Sequence, residues 1–184
     1  MRFLGLSGSA RRDSTNTALL RAAKELAPEG SAFTIYDGVG RLPVFSPDLE
    51  GKSTPPEVKS YIDLVARSDG VIVSSPEYVR SLPGGLKNAI DWLAPRDTLV
   101  GKPIALMHAS HRGDDMLDAL RIVLATVSDR FASDIFLRFS LVKMTPAEIA
   151  EFVAQPQNAQ QVQNFLRSFA RFCASPNATD AGSP

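Results

Sequence analysis

The chain has 184 residues, 44% apolar and 22% charged, a make-up suited to one soluble domain that can bury a core without disulfides or metals. Lysine plus arginine equals aspartate plus glutamate at 20 each, so no overall field recruits nucleic acid or an anionic membrane. The single cysteine, Cys173, excludes a disulfide framework and a multi-cysteine metal site, and no apolar run approaches the ~20 residues of a membrane span.

Strand-length apolar runs alternate with segments of helical period. Arg2 to Ser7 reads as a strand, and Thr15 to Leu26 as a helix with Ala18, Leu19, Ala22, Ala23 and Leu26 on one face. Ala32 to Tyr36 is a second strand, and Arg41 to Gly51 an irregular loop punctuated by Pro43, Pro47 and Gly51. Pro55-Pro56 opens a helix carrying Val58, Ile62 and Val65. Gly70 to Val73 is the wholly apolar strand expected at the centre of a parallel sheet. Pro83 starts a third helix where its missing N–H is no loss. Lys102 to Ala109 holds a fourth strand, Met116 to Val127 a helix, Asp134 to Val142 a fifth strand and Gln160 to Cys173 a last helix.

Strict alternation of this kind predicts an α/β doubly wound, five-stranded parallel sheet in one domain over residues 1–174, with a disordered tail at 175–184. Cys173, set among Phe169, Phe172 and Ala174, reads as an inert packed thiol, compatible with a reducing cytosol. The opening residues run directly into a strand without a signal-peptide pattern, so a cytoplasmic location is expected. Ligands in such folds sit beyond the carboxyl ends of the strands, which directs attention to the loops after strands one, three and four.

The first of these loops is dense in anion-binding groups. Ser9, Arg11, Ser14, Thr15 and Asn16 place five phosphate-competent side chains within eight positions at a helix start. A capping loop needs only one of them. The Gly-Lys-Ser/Thr ending of a Walker A loop is absent, and Gly5 and Gly8 lack the dinucleotide glycine spacing. A hydroxyl-rich loop suits a terminal monophosphate such as that of FMN.

Gly8-Ser9-Ala10-Arg11-Arg12-Asp13-Ser14-Thr15-Asn16 resembles the G-S-x-R-x-x-S-x-N phosphate loop of the NADPH-dependent FMN reductases, flavodoxin-like proteins that include quinone, chromate and azo reductases. The run from Ser75 through Pro76-Glu77-Tyr78-Val79-Arg80-Ser81 to Trp92 resembles the same family's P-E-Y-N-x-S-x-P-G-x-L-K-N-A-I-D-W element, with Val79 standing where the family usually has Asn. The resemblance implies strand order 2-1-3-4-5 and an FMN phosphate held by Ser9, Arg11, Ser14, Thr15 and Asn16. It also implies that Pro76, Glu77, Tyr78, Val79, Arg80 and Ser81 lie along the flavin ring, and Ser110 and Gly113 by its pyrimidine edge. His111-Arg112 and Asp114-Asp115 make that last loop bulkier and more charged than the family's glycine-rich stretch.

The implied activity is electron transfer from NADPH or NADH through FMN to a quinone-like, azo, metal-oxyanion or free-flavin acceptor, by a ping-pong route. The redox chemistry is the cofactor's, so no protein acid or base is required and no catalytic side chain or metal ligand is assigned. Homodimers or homotetramers are implied as well. Two rival readings stay open: an electron carrier of the flavodoxin type, and a flavin-free relative with a scaffolding role.

Overall fold

The computed structural model describes residues 1–176. Five parallel strands, β1 (Arg2–Ser7), β2 (Ala32–Tyr36), β3 (Gly70–Ser74), β4 (Ile104–His108) and β5 (Phe131–Arg138), form one sheet in the order β2-β1-β3-β4-β5. Helices α1 (Thr15–Glu25), α2 (Pro56–Ala66), α3 (Gly84–Asp91), α4 (Asp114–Val127), α5 (Pro146–Ala154) and α6 (Pro156–Ala174) cover both faces. The flavodoxin-like class expected from the sequence is the observed one.

Side-chain alternation along the strands explains the two layers. Leu4, Leu6, Val71, Val73, Ile104 and Leu106 point to one face and pack under α2, α3 and α4 with Tyr61, Leu86, Trp92 and Leu120. Phe3, Ile72, Ala105 and Met107 point to the other, under α1, α5 and α6 with Leu19, Ile149, Leu166 and Phe169. The chain steps from β1 outward to β2, then crosses back to β3 on the far side of β1. Right-handed crossovers made in opposite directions place α1 on one face and α2 to α4 on the other. The direction therefore reverses between β1 and β3, and their carboxyl ends open a crevice.

Four elements differ from the sequence reading. Helix α5 was not expected: Thr145 accepts a hydrogen bond from the Glu148 N–H at 3.3 Å while the Glu148 carboxylate takes the Thr145 N–H at 2.7 Å, a capping box with Pro146 in the first turn. Pro156 then restarts the chain as α6, after Gln155 is held extended as residues before proline are. Strand β5 begins at Phe131 and ends at Arg138, because the apolar run that suggested Asp134 to Val142 continues into a loop that still pairs with the sheet through Phe139 N–H to His108 O at 2.9 Å. Helix α4 starts at Asp114, two residues before the apolar face begins.

Two 3₁₀ turns, Pro47–Leu49 and Gly51–Ser53, shape the irregular loop after β2. The tail expected at 175–184 lies from residue 177 onward outside the described residues, and Ser175 itself is held by Arg130 Nη2, 2.9 Å from its carbonyl oxygen. Cys173 packs against Gly70, and burial pushes its thiol up to about 12, the inert state read from its neighbours.

Candidate functional site

The crevice at the β1/β3 reversal contains a cleft of about 330 Å³, in the range of small-molecule sites. Arg11, Thr15 and Asn16 line it from the first loop, Pro76 and Glu77 from the second, His108, Ala109, Ser110, Arg112 and Gly113 from the third, and Val142 and Lys143 from the segment after β5. A larger cavity of about 610 Å³ lies at the opposite end of the sheet, among Met1, Asp69, Lys102 and Cys173. Its cations are already engaged, Lys102 Nζ by the Ala66 and Ser68 carbonyls and Arg96 by Trp92 O and Thr54 Oγ1, and it lies away from the end where α/β folds bind ligands. Volume does not mark the site here; donors do.

The first loop is built to present N–H groups. Gly8 must be glycine, since a Cβ there would lie 2.5 Å from Ser75 Oγ and 2.8 Å from Leu86, and its N–H donates to the Ser74 carbonyl at 2.8 Å. Ser9 and Ser14 are buried and use their oxygens inward: Ser9 Oγ accepts from Arg11 N–H at 3.2 Å, and Ser14 Oγ caps α1 by accepting from Thr17 N–H at 3.3 Å. A hydroxyl that accepts from backbone keeps its own proton to donate. The backbone N–H groups from Arg12 to Asn16 have no partner among the described residues. Oriented amides, a helix N-terminus and Arg11, whose guanidinium has no partner among the described residues, thus lie together, an arrangement suited to an anion.

Asn16 has a structural use beside the one its motif suggests. Its amide oxygen accepts from Ser74 Oγ at 3.0 Å and from Ala109 N–H at 3.3 Å, tying α1 to the ends of β3 and β4. Only its amide nitrogen remains for a ligand.

The second loop is a tight hairpin. Tyr78 and Ser81 exchange both backbone hydrogen bonds at 3.0 Å, and between them Val79 and Arg80 take φ of 51° and 57°. Two left-handed residues in a two-residue connection make a type I′ turn. Asn suits the first of these positions and a β-branched residue does not, so the departure at Val79 is a matter of turn geometry. Its side chain is 99% exposed and touches nothing in the cleft. Tyr78 is half exposed beside it.

Two acidic contacts fasten this loop to α4. Glu77 Oε2 accepts from Met116 N–H at 3.1 Å, capping the helix, and Arg80 Nε reaches Asp115 Oδ2 at 2.6 Å. The Glu77 and Arg80 side chains are thus spent on loop position, and only their backbone faces a ligand role. The carboxylate beside Arg80 is held below the usual aspartate range by that guanidinium hydrogen bond.

The third loop is anchored to the same helix end: Arg138 donates to Ser110 O at 2.6 Å and to Asp114 Oδ1 at 2.7 Å. His108, Val142 and Lys143 were not read from the sequence as site residues. Lys143 sits at φ 71° and joins Arg11 and Arg112 in a positive rim, with Glu77 the only acid lining the cleft among the described residues. No local motif marks it, because the turn after β5 reaches the cleft only through the sheet pairing.

Fold and site together define a flavodoxin-like protein whose first loop gathers hydrogen-bond donors beside the cleft. The model of the NADPH-dependent FMN reductases matches residues 1–136, and the chain belongs to that family. Among its relatives are an NAD(P)H-dependent FMN reductase of Pseudomonas aeruginosa, 36% identical over 112 residues (60% of each chain), and a quinone reductase of Pseudomonas putida, 41% identical over 106 residues (56% of each). The matched stretch spans little more than half the length of these relatives. The solved structure of FerB, a flavoenzyme NAD(P)H:(acceptor) oxidoreductase from Paracoccus denitrificans, superposes with a TM-score of 0.73 at 28% identity, covering 94% of this chain and 96% of that one. The family is one of oxidoreductases that work with FMN and NAD(P)H.

Proposed function

We propose that residues 1–174 form one domain that binds FMN and passes electrons from NAD(P)H to a small-molecule acceptor of the quinone, azo, metal-oxyanion or free-flavin type, reductant and acceptor using the cleft in turn. The observation that carries this reading is the row of unpartnered N–H groups from Arg12 to Asn16, flanked by Ser9, Ser14 and Arg11. That donor set fits a phosphomonoester, whose three oxygens need many donors and a charge.

When bound, FMN supplies the two-electron redox chemistry. The chain's own residues bind and orient. The first loop takes the phosphate, with Ser9, Arg11, Ser14, Thr15 and the Asn16 amide nitrogen as donors. Backbone of Pro76 to Ser81, aimed by Glu77 and Arg80 through α4, borders the ring, and Ser110 and Gly113 border its polar edge. Arg11, Arg112 and Lys143 favour negative charge in the cleft.

A cytoplasmic location and assembly as a dimer or tetramer belong to the same reading. The exposed Val44 and Tyr78 are apolar surface for such assembly to cover. Among the described residues no helix is long and apolar enough to cross a membrane.

The test is spectroscopic. The purified protein, reconstituted with FMN if necessary, is expected to be yellow and to bleach on anaerobic addition of NADPH or NADH. Yellow protein that keeps its colour indicates an electron carrier, and protein that takes up no FMN removes the proposal.

A further inference from the structure

Two side chains under the third loop act together on its backbone. His108 and Arg138 end β4 and β5 and are register partners in the sheet. His108 is 1% exposed, and its Nε2 lies 2.6 Å from the Arg112 carbonyl oxygen. A carbonyl only accepts, so the neutral ring carries its proton on Nε2 and donates it there. Arg138 does the same to the carbonyl two residues earlier, Nε to Ser110 O at 2.6 Å. Gly113 closes over the imidazole at φ 102°, where a Cβ would come within 2.8 Å of Nε2.

The loop's carbonyls, all but that of His111, have donors among the described residues, whereas most of its N–H groups have no acceptor. The carbonyls of His108 and Ala109 accept from Phe139 and Leu141 N–H, those of Ser110 and Arg112 from the two side chains, and that of Gly113 from Leu117 N–H. On the donor side Arg112 N–H goes to Ser110 Oγ at 3.0 Å. The N–H groups of Ser110, His111 and Gly113 have no acceptor among the described residues. In a planar trans peptide the N–H points opposite to the carbonyl before it. Drawing the Ser110 and Arg112 carbonyls onto Arg138 and His108 therefore turns the N–H groups of His111 and Gly113 away from both side chains.

We infer that His108 and Arg138 are positioning residues of the cleft: by holding alternate carbonyls they fix the 110–113 loop as a two-donor cradle, His111 N–H and Gly113 N–H, for the electron-rich carbonyl edge of a planar ring. Toward FMN this rests on the function proposed above; the loop lock itself does not. Donors fixed before the ligand arrives bind the more negative, reduced ring more tightly than the oxidised one.

The test uses His108→Phe, which keeps a flat ring and removes the donor, and His108→Gln, which returns an N–H toward Arg112. In the FMN-free protein, amide order parameters at His111 and Gly113 are expected to fall from rigid values near ~0.85 toward ~0.6 in the Phe variant and to recover in the Gln variant. With FMN, the Phe variant is expected to lose about tenfold more affinity for the reduced than for the oxidised cofactor, lowering the two-electron potential by ~30 mV, again with recovery by Gln. Wild-type order and potential in the Phe variant overturn the inference, and so does equal damage in both variants, which marks packing alone. Should the wild-type protein bind no FMN, the proposed function fails, and the order parameters by themselves decide the loop lock.

Discussion

Replacing Val79 by Asn is expected to make the protein more stable, although it removes an apolar side chain. Val79 is the first left-handed residue of a type I′ turn, at φ 51°, closed by the paired hydrogen bonds of Tyr78 and Ser81 at 3.0 Å. The left-handed region crowds Cβ against the following carbonyl and costs an ordinary L-residue ~1–2 kcal/mol, whereas Asn tolerates it. With Val79 99% exposed, the exchange forfeits no buried area. The expected gain is therefore ~1 kcal/mol, or ~2–4 °C in Tm for a chain of this size. Val79→Gly relieves the same crowding but enlarges the unfolded ensemble, so it gains less. Val79→Ile keeps the β-branch and gains nothing. Thermal and urea unfolding followed by circular dichroism give the ranking. A midpoint for the Asn variant at or below that of the wild type refutes the strain argument.

Three further outcomes follow from the geometry. Arg11→Ala is expected to weaken FMN binding by ~1.5–3 kcal/mol, a charged hydrogen bond's worth, read by fluorescence titration of the FMN-free protein; unchanged affinity takes Arg11 out of the site. Tyr61→Phe is expected to stabilise the fold by ~1 kcal/mol, since the buried Tyr61 hydroxyl has no partner among the described residues, and a loss of stability would show that the hydroxyl is bonded after all. His108 lies below its ordinary value of 6.5, first through burial and then the nearby Arg138 charge, against the pull of the Arg112 carbonyl. The unfolded chain then takes up that proton first, so the stability is complete above the unfolded value and declines as pH falls below it, by at most ~1.4 kcal/mol per pH unit. Comparing wild type with His108→Gln between neutral pH and mild acid isolates the contribution, and equal slopes refute it.

Sheet architecture was legible because it follows from local alternation: apolar runs of strand length separated by helix-period segments admit few arrangements of a parallel sheet. The anion loop was legible for a related reason. Ser9 through Asn16 are contiguous, and consecutive donors at a helix start converge whatever surrounds them. Helix α5 carried a readable signal, Thr145-Pro146 with Glu148 three residues past the cap, that the absence of a long apolar stripe concealed.

Other parts of the site had no local signal. Glu77, expected along the flavin ring, uses its carboxylate to cap a helix 39 residues further on, while the Arg80 side chain is held by Asp115. Asn16, in the phosphate motif, spends its oxygen on β3 and β4. Lys143 and Val142 reach the cleft only because the chain beyond β5 stays paired to β4. The sequence by itself determined which elements form and which loop gathers anion donors, since both depend on neighbours in the chain. Which side chains remain free to meet a ligand was decided by the tertiary structure, because each hydrogen bond across the sheet removes a donor or acceptor that the motif alone leaves available.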